Sequence, residues 1–280
     1  MGREENVKVF QDTEKMCKNN SRLKDAIKES VRQQKLILEE DTISEFDKKK
    51  YEEPAKIIVS KKRSYEAASA YKNKNVCVHN FASASNPGGG VTRGASAQEE
   101  CLCRCSTLYF CLNTQKMWNG FYNPHRAAQN PIHNDDIIYT PDVAVFKTDA
   151  VTPKVVKEND WYYRNVITCA APNLRERPSN QYNSGDGNRA VKISDKELME
   201  IHEKRLRRIL DVATLEGNEA VVLGAFGCGA FSNNPEVVAR AAKAVIQDYK
   251  YAFETIEFAV YCGPNDERNY KIFERVLSKC

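Results

Sequence analysis

An α/β layered domain with a buried, partly parallel sheet is what this sequence predicts, and two observations carry the prediction. Short apolar runs alternate with helical stretches from residue 53 onward, and two of the runs are followed at once by a glycine-rich loop and then a helix. The 280 residues are enough for one large domain with a substantial core.

The elements follow in order. Residues 1–52 are highly charged and place Leu23, Ile27 and Val31, then Leu36 and Leu38, at helical spacing, which reads as one or two amphipathic helices packed on the core as an N-terminal extension. KIIVS is a strand, SYEAASAYKN helical and NVCVHNF a strand, after which a glycine loop leads into a Cys- and Leu-rich helix. Further strands fall at IIYTPDVAVFK, NVITCAAP, EAVVLGAF and IEFAVYC, with helices near 194–215 and 235–250. Residues 178–190, PSNQYNSGDGNRA, read as a mobile polar loop.

Composition excludes several classes. The 42 Lys and Arg against 38 Asp and Glu give a net charge of +4 spread along the chain, so there is no basic block for sequence-specific nucleic acid. No apolar run is long enough to span a membrane, which leaves no membrane partner. The opening MGREEN lacks a signal-peptide apolar stretch, and Asn6 stands where a myristoylation motif requires Ser or Thr. The ten cysteines lie in or beside apolar runs, as buried reduced thiols do, and a cytoplasmic location is expected.

The chemistry concentrates in NPGGGVTRGASAQEE, residues 86–100. Three glycines there precede two adjacent carboxylates, a use of backbone freedom that needs a reason such as positive φ or close approach. Ser96 and Glu99 fit a capping box, so a helix is expected to start at Ala97 and run through CLCRCSTLYFCL, burying Cys101, Cys105, Leu108 and Leu112. A purely structural account then has Glu99 closing the cap and Glu100 pairing with Arg104 for about 0.3–0.5 kcal/mol. A catalytic account has one carboxyl protonating a departing glycosidic oxygen and then activating water, while its neighbour grips ribose hydroxyls.

The second glycine loop, GAFGCGAFSNNPEVV, follows VVL, and Asn234 and Pro235 there form a helix cap and first helical residue. Two such loops at strand ends suit a nucleotide-like ligand carrying a diphosphate held by backbone N–H groups. A dinucleotide-dependent oxidoreductase is disfavoured, because the third glycine of its fingerprint falls at Ser232. Cys101, Cys103 and Cys105 form C-x-C-x-C, but on a helix Cys103 points away and no His is near in sequence, so no metal is assigned. WYYRN, residues 161–165, reads as strand-edge packing, and the four histidines receive no role.

NFASASNPGGGVTRGASAQEECLCRCSTLY resembles the macrodomain-fold poly(ADP-ribose) glycohydrolases of the bacterial and fungal type, marked by GGG, six to eight residues, then QEE; NVITCAAPN and VVLGAFGCGAFSNNP are similar to that family too. The resemblance implies a three-layer α/β/α macrodomain over residues 53–280, with a mixed, largely parallel sheet. It also implies release of ADP-ribose from poly(ADP-ribose) chain ends by cleavage of ribose–ribose O-glycosidic bonds, without a cofactor. ADP-ribose, its polymer and ADP-ribosylated proteins would be the partners.

Carried over, Glu100 is general acid and then base, Glu99 orients the substrate ribose, and Gln98 completes the motif. Gly88, Gly89 and Gly90 lie along the diphosphate and distal ribose, with Asn86 and Asn80 near the ribose hydroxyls. Gly227, Cys228, Gly229 and Ala230 wrap the diphosphate, and Phe231 packs against the ribose at the scissile bond. The adenine-stacking residue stays unassigned. A mono-ADP-ribosyl hydrolase acting on protein or nucleic acid, or a non-catalytic ADP-ribose reader, remain the alternatives on the same fold.

Overall fold

Apolar residues on alternate strand positions divide the core between the two faces of one sheet. The computed structural model describes every residue except Met1, Tyr182, Pro264, Lys279 and Cys280. Its strands are β1 (Lys35–Ile37), β2 (Lys56–Ser60), β3 (Val76–Phe81), β4 (Ile137–Val145), β5 (Tyr162–Cys169), β6 (Ala220–Leu223) and β7 (Thr255–Ala259). They form a seven-stranded sheet in the order β1-β4-β5-β3-β6-β7-β2. Pairing is parallel from β5 through β2 and antiparallel at β1–β4 and β4–β5, a mixed, largely parallel sheet.

The main helices are α1 (Arg3–Asn19), α2 (Ser21–Gln33), α3 (Ser64–Ala68), α4 (Gln98–Cys105), α5 (Leu108–Leu112), α6 (Gln115–Met117), α7 (Asn123–Ala128), α8 (Asp195–Leu215), α9 (Pro235–Ile246) and α10 (Arg268–Leu277). Val76, Val78, Val166 and Val222 face α3, α4, α5 and the π-helical turn at Phe121 and Tyr122. Cys77, Ile167, Val221 and Ile256 face the opposite way, against Ile209 and Ala213 of α8, Val238 and Ala242 of α9, and Phe273 of α10. Each buried Val, Ile or Phe among them contributes about 1.5–3 kcal/mol, so the three layers hold one another.

The ends of the helices are set locally. Asn234 accepts from the Glu236 N–H and Pro235 opens α9, as its sequence indicates. Ser194 and Glu197 form a capping box at α8. The helix expected from Ala97 through Leu112 is instead broken at Ser106, which bridges to Val145 of β4. The edge of the sheet thus takes the backbone that a continuous helix would have used.

The N-terminal segment gives two helices, but Leu36 lies in β1 rather than on a helix face. Phe10 of α1 packs edge-on to Tyr109 at 5.0 Å between ring centres. Leu23 of α2 and Cys17 of α1 pack with Ala144, Phe146 and Trp161, which places the WYYRN stretch in sheet packing. Thr13 donates to the Arg104 carbonyl at 2.6 Å, and Asn6 Nδ2 donates to the Gly94 carbonyl at 3.0 Å, so α1 braces both ends of the segment from the glycine loop through α4. Among the described residues no helix is long and apolar enough to cross a membrane.

Gly94 has φ of +78°, and a Cβ there would stand 2.3 Å from the Arg3 carbonyl oxygen. Gly217, at φ +72°, has nothing within 4 Å of such a Cβ. Gly94→Ala is therefore expected to lose more stability in urea unfolding than Gly217→Ala, which carries only the left-handed cost of about 1–2 kcal/mol. Equal losses would show that α1 does not press on this loop.

Candidate active site

β3 ends in Asn80 and Phe81 on the edge where the parallel strands present their carboxyl ends, the usual ligand edge of an open α/β sheet. The chain then turns through Pro87 into the three glycines and enters α4 at Gln98. Gly88 and Gly89 are left-handed, at φ +66° and +56°. A Cβ on Gly89 would sit 2.6 Å from Glu100 Oε1 and 3.2 Å from Glu99 Oε2. Glycine is required because the loop lies directly on the two carboxyls.

The N-terminus of α4 departs from the expected cap. Ala97 occupies the cap position with no side-chain hydrogen bond, and Glu99 turns inward instead of closing a box with Ser96. Glu99 Oε2 accepts from the Ser83 N–H at 2.7 Å, and Oε1 accepts from Asn80 Nδ2 at 3.3 Å. Nor does Glu100 pair with Arg104, whose guanidinium donates to the Ala95 carbonyl and to Cys101 Sγ. Glu100 Oε1 accepts from the Gly90 N–H at 2.9 Å, and Oε2 is buried with no partner. Both acids draw donors from the folded loop, and the N–H groups of Ala97 and Glu100 at the start of α4 also favour the Glu100 anion.

Both glutamates are buried, Glu99 to 3% and Glu100 to 7% exposure. Burial, and then the neighbouring Glu100 charge, push the Glu99 carboxyl up to about 8, against the N–H groups of Ser83 and Gly88 and the Asn80 amide that favour its anion. Burial likewise raises the Glu100 carboxyl, opposed by the Gly90 N–H. A helix N-terminus favours carboxylates by only about 0.3–1 kcal/mol, less than one pKa unit, so burial prevails. The proton belongs to the pair, and of the pair's carboxyl oxygens Glu100 Oε2 is the one without a hydrogen-bond partner among the described residues.

Gln98 fixes this turn to the sheet. Its Oε1 accepts from the Phe81 N–H at 2.9 Å, and its Nε2 donates to the His79 carbonyl at 2.8 Å and to Ser64 Oγ at 2.9 Å. It is bound at both ends of its amide.

The glutamates open onto a cleft of about 590 Å³, within the range for a nucleotide-sized ligand. Of the residues singled out from the sequence, Gly89, Gln98, Glu99, Glu100, Gly227, Gly229, Ala230 and Phe231 line it. Asn80, Asn86, Gly88, Gly90 and Cys228 stand behind its wall. Asn86 is turned toward a neighbouring loop, donating to the Ser184 carbonyl and accepting from Arg126. The Cys228 N–H donates to the Ala225 carbonyl, which takes it out of any diphosphate grip. Among the described residues the N–H groups of Gly229 and Ala230 have no hydrogen-bond acceptor. Gly227 is left-handed at φ +75°, and a Cβ there would meet Ala171 at 2.7 Å.

Several lining residues were not evident from the sequence: Ser83, Asn183, Arg175, Arg63 and Tyr261. The Arg175 guanidinium lies 5.5 Å from the Phe231 ring centre, and that of Arg63 lies 4.0 Å from the Tyr261 ring centre. Tyr261, 45% exposed just beyond β7, did carry a signal, since a large aromatic ending a buried strand faces the ligand edge. His79 and His202 are core residues that burial lowers to about 3 and about 4, and both are neutral. The nine described cysteines are unpaired; Cys280 lies outside the described residues. Among the described residues no group of three or more His, Cys, Asp and Glu is placed to hold a metal ion.

A carboxyl whose pKa is raised on folding binds its proton more tightly in the native state, so stability falls as pH rises from the ordinary value of 4.5 toward about 8. Glu99→Gln removes that penalty while keeping an oxygen for the Ser83 N–H. Its melting temperature relative to wild type is expected to be higher at pH 9 than at pH 5. A difference independent of pH would contradict the raised value.

The sequence matches the family described as "Microbial-type PARG, catalytic domain" over residues 4–148, just over half of the chain. Poly(ADP-ribose) glycohydrolase from Thermomonospora curvata is 26% identical, with a TM-score of 0.83 over 98% of this chain and 100% of that one. The same enzyme bound to the inhibitor ADP-HPD matches with a TM-score of 0.79 at 26% identity, over 98% and 99% of the two chains. The Deinococcus radiodurans enzyme in complex with ADP-ribose is 28% identical, with a TM-score of 0.76 over 91% of this chain and 98% of that one. No curated protein matches the sequence significantly. With the glycine loop, the paired glutamates and the sheet order all in place, the chain belongs to the microbial-type poly(ADP-ribose) glycohydrolase family.

Proposed function

We propose that the protein is a poly(ADP-ribose) glycohydrolase that releases ADP-ribose from chain ends by hydrolysing ribose–ribose O-glycosidic bonds. The observation that carries the mechanism is the buried, unpartnered Oε2 of Glu100, on a carboxyl held above its ordinary range at the wall of the cleft. Related enzymes solved with ADP-ribose and with ADP-HPD support the ligand class.

In this reading ADP-ribose lies across the carboxyl ends of the strands. The N–H groups of Gly229 and Ala230, without an acceptor among the described residues, face the diphosphate from one side, and the loop at Gly89 faces it from the other. Phe231 supports the ribose at the scissile bond, and Tyr261, beyond β7, offers a platform for the base at the other end. Glu99 holds the ribose hydroxyls, itself held by Ser83 and Asn80.

Glu100 gives its proton to the glycosidic oxygen as the bond to the anomeric carbon breaks, so the departing ribose leaves as a neutral alcohol. The oxocarbenium ion that remains takes the oxygen of a water whose proton Glu100 accepts, which restores the acid. One carboxyl performs both steps because the diphosphate blocks the opposite face of the ribose. ADP-ribosylated proteins enter as carriers of the polymer, and unpaired thiols suit a cytoplasmic setting.

Purified poly(ADP-ribose) incubated with EDTA and wild-type protein is expected to yield free ADP-ribose. Glu100→Gln should be slower by about 10²–10⁴ or more, with ADP-ribose affinity kept. The wild-type rate should fall as pH rises above the ordinary carboxylate range, where the Glu100 carboxyl, raised by burial, loses its proton. Full activity of Glu100→Gln would overturn the mechanism. Release only from singly modified protein would reassign the enzyme to mono-ADP-ribose, and binding without release would make it a reader.

A further inference from the structure

Behind the ribose end of the cleft lies a connected set of side chains that the acid–base chemistry does not itself use. Asp186, 1% exposed, stands at its centre. Its Oδ2 accepts from Asn173 Nδ2 at 2.8 Å and from Asn183 Nδ2, and lies 3.2 Å from His133 Nε2. His133 Nδ1 is 2.8 Å from the Ala171 carbonyl, which can only accept, so that nitrogen carries a proton. Burial works to raise the Asp186 carboxyl, but His133 and the two amides outweigh it and hold it below the ordinary carboxylate range.

An anionic acceptor fixes which way an amide points. With its NH₂ on Asp186, Asn183 must turn its oxygen toward the catalytic loop. There Oδ1 accepts from Ser83 Oγ at 2.5 Å and from Ser85 Oγ at 3.3 Å, which occupies both lone pairs. Ser83 Oγ in turn accepts from the N–H groups of Ser85 at 3.3 Å and Asn86 at 3.2 Å, and the Ser83 N–H is the one that holds Glu99. The two loops touch directly: a Cβ on Gly185 would stand 2.9 Å from Ser85 Cβ. Of residues 178–190, expected to be a mobile loop, Asn183, Ser184 and Gly185 are thus tied to the catalytic loop, while Tyr182 lies outside the described residues.

We infer that Asp186 and Asn183 are positioning residues for the hydrolysis: Asp186 orients the Asn183 amide, and the amide holds Ser83 so that its N–H places Glu99 against the ribose. The inference rests on the reading given under Proposed function. It assigns the polar segment after β5 to transition-state geometry rather than to substrate affinity, since both ends of the Asn183 amide are engaged within the protein.

The test is polymer hydrolysis and ADP-ribose binding, with folding checked by melting temperature, for Ser83→Ala, Asn183→Ala and their double variant. Each single change is expected to lower kcat by about tenfold or more, the gain of a well-placed orienting contact, and to alter ADP-ribose affinity less than about threefold. The double variant should be no slower than the worse single one. A conservative change removes ambiguity from misfolding: Ser83→Thr keeps the hydroxyl that Asn183 holds and should retain most of the kcat that Ser83→Ala loses. Losses that multiply, a loss confined to affinity, or a Ser83→Thr variant as slow as Ser83→Ala would each overturn the inference. Wild-type protein that releases no ADP-ribose would instead remove the reading beneath it.

Discussion

Two adjacent carboxyls buried in the first turn of α4 are the constraint on which the rest of the site depends. An isolated buried carboxylate is costly enough that such groups either find donors or keep their protons. This pair does both. Backbone N–H groups of Ser83 and Gly90 reach the two acids, and the pair retains a proton that an exposed glutamate would have lost. The glycines are a consequence, because the donors must come closer than any Cβ allows. Gln98, fixed to the end of β3, and α1, braced on Gly94 and Arg104, keep that approach in register.

The same arrangement separates binding from chemistry. In the proposed mode of binding the second loop itself offers a diphosphate backbone N–H groups, with Arg175 and Arg63 elsewhere on the cleft wall. In the proposed mechanism the proton needed for leaving-group departure is stored at Glu100, and the groups that hold Glu99 are tied through Ser83 to a buried carboxylate on another loop. A site of this kind relies on preorganised geometry more than on strong single contacts.

Much of the architecture was legible in the sequence because it is written in local periodicity. Strand alternation predicted the layered sheet, and Asn234 with Pro235 marked the start of α9. The spacing from the glycines to Gln98, Glu99 and Glu100 marked the loop that covers the two acids. What local rules could not supply was the competition among partners. Ser96 and Glu99 satisfy the capping pattern, yet Glu99 is drawn to Ser83. Arg104 stands at the right spacing for Glu100, yet its guanidinium closes onto Ala95 and Cys101. Leu36 continues a helical stripe but pairs into the sheet edge. Asp186 and Asn183 lie in a stretch whose composition says only loop, and their partners are remote in sequence.

The central claim is that the Glu99–Glu100 pair holds a proton at neutral pH before any substrate arrives. It is tested most directly by following the carboxyl carbons of ¹³C-labelled glutamate by NMR from pH 3 to 10, in wild type, Glu99→Gln and Glu100→Gln. The account predicts one carboxyl ionising near pH 8 in the wild type, missing from Glu99→Gln, and moved lower but still above the ordinary range in Glu100→Gln, where burial acts without the neighbouring charge. Two carboxyls that ionise together in the ordinary range near 4.5 would contradict it.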